Sequence, residues 1–129
     1  MVILDTNIII DHLRQKPGTK SYLAKINDAE GKDDLAISII TIQELFEGKS
    51  TLDQQKTTEL LAILSPLKIF EYNLEVAQKA GEIARDLKNP IEFADSAIAA
   101  TCIFNNCQLL TLNKKHFQNI LDLEFYSQT

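Results

Sequence analysis

Three carboxylates and one carboxamide stand far apart along this chain, at Asp5, Glu44, Asp95 and Asn113, each close to the end of an apolar run. Val2-Ile3-Leu4 reads as a buried strand ending at Asp5. Leu35 to Ser38 reads as a second strand, and Glu44 falls in the first turns of the helix that leaves it, Ile40 to Glu47. Asp95 opens a helix from Phe93 to Phe104 that runs back along the sheet before the strand Gln108 to Thr111, which Asn113 follows. In a parallel α/β sheet, function gathers at the carboxyl ends of the strands, near the point where the strand order switches. All four side chains are therefore expected on one edge.

Such a cluster calls for a counter-ion. Two carboxylates about 4 Å apart repel by about 4 kcal/mol at an effective dielectric near 20. Three cannot all stay ionised together without a proton or a cation. Oxygen ligands suit a hard divalent ion, Mg2+ with Mn2+ as its substitute, and no His or Cys lies in the cluster to favour zinc. A carboxylate-bound ion that keeps water positions suits phosphodiester hydrolysis, because it polarises phosphoryl oxygens and generates a water-derived nucleophile. Each residue also has a plain structural reading. Asp5 can N-cap a helix. Thr41-Ile42-Gln43-Glu44 fits a capping box. Asn113 suits a turn. Asp95 fits its structural reading least well, since Ile98, Ala99 and Cys102 follow at helical spacing and place it along an apolar stripe.

The elements that must position these residues alternate. Helices are expected at Asn7 to Leu13, Thr19 to Asp28, Asp53 to Leu64 and Leu74 to Leu87, besides the two already named. Further strands are expected at Leu67 to Tyr72 and Leu121 to Tyr126. Strands alternating with helices predict an α/β fold with a mainly parallel sheet of about five strands. With 129 residues, 45% hydrophobic and 24% charged, the chain is one ordinary globular domain over residues 1–129. Its net charge of −5 argues against a broad basic surface for duplex DNA, although a metal ion can supply positive charge locally. Cys102 and Cys107 form no ligand pattern and suit buried, reduced thiols. The N-terminus lacks a basic leader, and Asp5 and Asp11 interrupt its apolar run, so neither a signal peptide nor a membrane span is expected. The expected location is the cytoplasm.

VILDTN at the start, Ile42-Gln43-Glu44-Leu45 with Gly48, the run Phe93 to Ala100 and the run Thr111 to Phe117 together resemble the PIN domain. More narrowly, the chain resembles the VapC-type ribonuclease toxins of prokaryotic toxin–antitoxin pairs. The motifs occur in the family's order and span nearly the whole chain. The resemblance implies a helix-flanked parallel sheet and a Mg2+-dependent endoribonuclease acting on RNA. It implies that Asp5, Glu44 and Asp95 form the acidic metal site, supported by Thr6, Asn7 and Thr111. Asn113 stands where many relatives carry a fourth acid, a departure that removes a charge. The resemblance also implies an antitoxin partner covering the acidic edge, and a homodimer. Leu60, Leu61, Ile63 and Leu64 give one helix apolar residues on more than one face, in line with the latter.

Other residues carry less weight. His12 is expected near a helix end facing solvent, and His116 is expected to pack or to meet phosphate rather than ligate metal. Lys114, Lys115, Arg14, Lys16 and Lys20 are candidate RNA contacts, with solvated surface as their plainer reading. Tyr22, Tyr72 and Phe46 suit core or interface. A haloacid-dehalogenase-like phosphatase would need an Asp at position 7, where Asn stands. A response-regulator receiver would need an Asp after the third strand, which ends Glu71-Tyr72-Asn73. The remaining alternatives are a non-catalytic PIN-like binding module and a PIN nuclease of RNA maturation or decay.

Overall fold

A computed structural model describes residues 1–127, so the last two residues of the expected 1–129 domain lie outside the described part. Four strands, β1 (Val2–Leu4), β2 (Leu35–Ser38), β3 (Lys68–Phe70) and β4 (Gln108–Leu110), form one sheet in the order β3-β2-β1-β4. All pairings are parallel, with Val2 opposite both Leu35 and Gln108, and Ala36 opposite Lys68. The chain builds outward from β1 to β3, then returns to the other side of β1. The switch in strand order therefore lies between β1 and β4. The helices are α1 (Thr6–Leu13), α2 (Tyr22–Glu30), α3 (Ile39–Glu47), α4 (Gln54–Leu64), α5 (Leu74–Asp86) and α6 (Phe93–Phe104).

Alternation along β1 divides the core into two layers. Ile3 faces Val76, Ala80, Ile83, Ile98 and Leu109, so this layer lies under α5 and α6. Val2 and Leu4 face Ile8, Ile9, Leu23, Leu60 and Leu64, under α1, α2 and α4. With both faces covered, β1 is buried at every residue, which is why its sequence is an unbroken apolar run. Along α6, residues 96–102 are all buried. Four of those seven are small Ala or Ser, which lets the helix approach its neighbours closely. Ile98 supplies the bulk there and has no exposed surface. Ile98→Ala is expected to cost about 2–5 kcal/mol, read as a lower urea midpoint at unchanged slope.

The expected fifth strand is reduced to a single bridge. Leu109 donates its N–H to the Glu124 carbonyl and Tyr126 donates to the Leu109 carbonyl, pairing only Phe125 with β4. Asn119 and Asp122 have φ of 67° and 71°, so the chain turns twice and meets the sheet over one residue. The second helix starts later than Thr19, because Ser21 takes the cap by accepting from the Ala24 N–H. Cys102 and Cys107 are free, buried thiols, as expected. Among the described residues, no helix is long and apolar enough to cross a membrane.

Candidate active site

Asp5 sits where β1 becomes α1. Its backbone N–H donates to the Leu110 carbonyl at 2.9 Å, extending the ladder between β1 and β4. Its Oδ1 accepts from the Thr6 N–H at 2.8 Å, so the capping role holds. The other oxygen, Oδ2, accepts from Thr111 Oγ1 at 2.7 Å, a bond across the switch point that capping alone does not need. Only 6% of Asp5 is exposed. Burial pushes its carboxyl above the usual carboxylate range, while the bonds from Thr111 and Thr6 and the nearby His116 pull the other way.

Glu44 is held from α3. Ser38 caps that helix by accepting from the Ile40 N–H, so the expected capping box at Thr41 does not form. The helix begins two residues before Thr41, which places Glu44 in its middle rather than its first turn. There Glu44 Oε1 accepts from Thr6 Oγ1 at 2.5 Å. The Thr41 hydroxyl lies 3.0 Å from that of Thr6. A carboxylate can only accept, so the Thr6 proton points at Glu44 and Thr41 donates to Thr6. Thr6 thus ties the start of α1 to the second acid. Burial raises the Glu44 carboxyl first, and the charges of Asp5, Glu47 and Glu92 raise it further against the opposing Thr6 bond.

Asp95 lies in the first turn of α6, with 15% of its side chain exposed. Its neighbour is His116, whose Nδ1 stands 3.5 Å from Asp95 Oδ2. The Asp95 carboxyl is pushed up to about 6, by burial first and then by the charge of Asp5. His116 opposes the shift, and Glu92 and Glu44 add to it. The three acids are thus close enough to feel one another, as their order along the sheet edge predicts.

The remaining expected residues divide. Thr111 is buried at the centre of the network. It donates to Asp5 and accepts from the Asn113 N–H at 3.0 Å and from Asn7 Nδ2 at 3.4 Å. Asn7 Oδ1 also accepts from the Leu112 N–H at 3.3 Å, fastening α1 to the chain after β4. Asn113 joins through its backbone only, and its side chain is exposed. Glu92, the N-cap position of α6, was not singled out by sequence, yet its charge reaches both Asp95 and Glu44. Its spacing of three residues from Asp95 is the signal that points to it. Thr111→Val removes the donor to Asp5 and an acceptor for a backbone N–H. It is expected to cost about 1–3 kcal/mol of stability, read by denaturant titration, and to weaken Mn2+ binding several-fold by calorimetry.

The three acids offer oxygen donors with an excess of negative charge, which fits Mg2+ or Mn2+; contrary to the sequence expectation, a histidine does reach the cluster, His116 beside Asp95. Among the described residues, no three His, Cys, Asp or Glu side chains already enclose a space for an ion. The fit is that of an ion held by one or two carboxylates and completed by water.

Beside Glu44 lies a hollow of about 420 Å³, lined by Arg14, Lys49, Lys56 and Glu59 together with Ile10, Leu45 and Leu60. The other basic candidates separate. Lys20 pairs with Asp28, Lys114 sits 5.6 Å from the Phe125 ring centre, and Lys16 is exposed. His12 does not simply face solvent: its Nδ1 is 2.6 Å from Ser21 Oγ, linking α1 to α2. Tyr72 packs at the core edge against Phe93, whereas Tyr22 and Phe46 are exposed.

A family model described as PIN domain matches residues 2–121. Ribonuclease VapC10 of Mycobacterium tuberculosis is 32% identical over 120 residues, covering 91% of this chain and 86% of that protein. The crystal structure of DNA-bound VapBC from Salmonella typhimurium aligns with a TM-score of 0.85 at 24% identity, over 97% of this chain and 96% of that one. VapBC2 from Rickettsia felis, bound to a DNA fragment from its promoter, aligns with a TM-score of 0.82 at 26% identity, over 99% and 98%. The match extends from the first strand to beyond the fourth, through every acid of the edge, and the chain belongs to the PIN domain family.

Proposed function

We propose that this chain is a Mg2+-dependent endoribonuclease and the toxin of a VapBC-type toxin–antitoxin pair. The observation that carries the reading is the bonded chain Thr111–Asp5–Thr6–Glu44, with Asp95 pushed up to about 6 beside it. A purely structural set of acids has no need of such crowding. The likeness to ribonuclease VapC10 and to VapBC complexes supports the toxin role.

Asp5 and Asp95 would hold the ion, which when bound supplies a Lewis acid for the phosphoryl oxygens and lowers the pKa of attached water. Thr6 fixes Glu44 by one oxygen, and the other oxygen remains to orient an attacking water and take its proton. Thr111 holds Asp5 in position, and Asn7 fastens the segment after β4. Asn113 brings no charge, so a single ion suits this edge better than two. Attack by water in line with the P–O3′ bond would break that bond, with the 3′ oxygen taking up a proton as it leaves, and give 5′-phosphate and 3′-hydroxyl ends.

The hollow beside Glu44, lined by both apolar and charged side chains, is suited to a segment of the antitoxin that covers the acids. The acids and the net charge of −5 favour basic side chains where the segment covers the site, while Arg14, Lys49 and Lys56 favour acidic ones where it lies in the hollow. Leu61 on α4 is 51% exposed beside buried Leu60 and Leu64, and offers a face for a homodimer. Two buried free thiols suit a reducing cytoplasm.

The test is cleavage of a mixed RNA pool by purified protein with Mg2+ or Mn2+ and with EDTA. Metal-dependent cutting supports the reading. A folded protein that neither cuts nor gains thermal stability from Mn2+ returns the chain to a binding module.

A further inference from the structure

Apart from the Glu44 hollow, a second one of about 410 Å³ opens beside His116. Its volume lies within the range of about 300–1,000 Å³ common for ligand sites. Its walls are the loop that leads into α6 and the turn that follows Asn113, the two segments next to Asp95 and Asn113 in sequence. The first wall brings Lys88 and Asn89, and the second brings Lys115, His116, Gln118 and Asn119. Asp86 is the acid of the lining, and its carboxylate is engaged by Arg85, with Nε–Oδ1 at 2.7 Å and Nη2–Oδ2 at 3.1 Å. The two lysines thus face a hollow whose negative charge is already paired. Of the adjacent pair, Lys114 is drawn to the Phe125 ring while Lys115 lines the hollow.

From this arrangement we infer that the hollow is a nucleotide subsite of single-stranded RNA, with Lys88 and Lys115 holding backbone phosphate and the three amides meeting base or ribose. The inference deepens the nuclease reading and rests on it. His116 supplies the continuity, since its ring lines the hollow while its Nδ1 lies 3.5 Å from Asp95. A strand lying in the hollow passes His116 and brings its neighbouring phosphate to the acids. The chemistry favours a polyanion over a protein segment, because two lysines and three carboxamides line the hollow beside Leu87, Pro90 and Ile91 and its acid is already engaged by Arg85, whereas the Glu44 hollow sets Glu44 and Glu59 beside its cations. In a chain of net charge −5, a local cationic hollow joined to the site is where phosphate can be retained.

The test is fluorescence anisotropy of a short mixed-sequence single-stranded RNA in EDTA, for wild type and for Lys88→Ala/Lys115→Ala, across a salt series. The double variant is expected to bind about tenfold more weakly. Its log–log salt slope should fall by about 1.4, the value for two lost phosphate contacts on a single strand. Lys25→Ala/Lys32→Ala makes the same change in net charge elsewhere, and is expected to bind as wild type does. Mn2+ binding by calorimetry should be equal in all three proteins. Wild-type affinity and slope in the Lys88/Lys115 variant, with metal-dependent cutting intact, would overturn the subsite and leave the nuclease standing. The same holds if both double variants weaken binding equally, since net charge would then account for it. A wild-type protein that neither binds nor cuts the RNA overturns both.

Discussion

Asp5→Asn is expected to reduce RNA cleavage by about 10³-fold or more while leaving the fold in place. Losing an acid that would hold the ion forfeits several kcal/mol of transition-state stabilisation. The structural side of the exchange is nearly balanced. An Asn at this position keeps the acceptor for the Thr6 N–H. Its amide, however, replaces the oxygen that accepts from Thr111, whose own oxygen already accepts from Asn113 and Asn7. One hydrogen bond is weakened, at about 1 kcal/mol. Against this, a buried carboxylate raised by burial loses its charge. The melting temperature should therefore stay within a few degrees of wild type, with an unchanged circular dichroism spectrum. Retained cleavage in this variant, under the metal that activates wild type, would remove Asp5 from the chemistry.

The second large effect concerns Asp95 and pH. Its folded-state value of about 6 lies above the ordinary 3.8 of the unfolded chain. Between those values the folded protein holds a proton that the unfolded chain has released, so stability declines as pH rises through the window and levels off above 6. Asp5 and Glu44 shift in the same direction and reinforce the slope. Metal-free wild type should melt a few degrees higher at pH 5 than at pH 7. Asp95→Asn should raise the pH 7 value by a similar amount and flatten the profile. Mn2+ should do the reverse: it stabilises wild type at pH 7, by about 2.7 kcal/mol at a hundredfold excess over Kd, and does nothing for the variant. Melting scans with and without Mn2+ at the two pH values decide it. Identical pH profiles for the two proteins would mean that Asp95 does not carry the strain.

Much of this arrangement is readable from sequence because it follows from periodicity and from the logic of parallel sheets. The helix from Phe93 to Phe104 and the strand from Leu35 to Ser38 are bounded as their apolar patterns predict. The convergence of Asp5, Glu44 and Asp95 follows from their places at the carboxyl ends of the strands. What escaped the sequence depends on competition between local partners. Thr41 and Glu44 have the spacing of a capping box, but Ser38 lies nearer the strand end and takes the cap, which frees Glu44 for Thr6. Leu121 to Tyr126 has strand composition, yet two residues at positive φ leave only Phe125 paired. The link between His116 and Asp95 depends on how α6 and the turn after β4 approach in space, which no local pattern encodes.

The bond between Thr111 and Asp5 joins residues 106 positions apart. It is made by the residues that directly follow β1 and β4, the first and the last strand of the sheet in chain order. A growing chain that has released only β1 to β3 into solution has Asp5 and Glu44 but neither Thr111 nor the β4 edge that receives the Asp5 N–H. Closing so long a loop is also the entropically slowest part of the sheet to assemble. The contact that fixes Asp5 therefore forms only after β4 and the turn behind it have left the ribosome, later than the sheet edge on which Asp5 and Glu44 already stand.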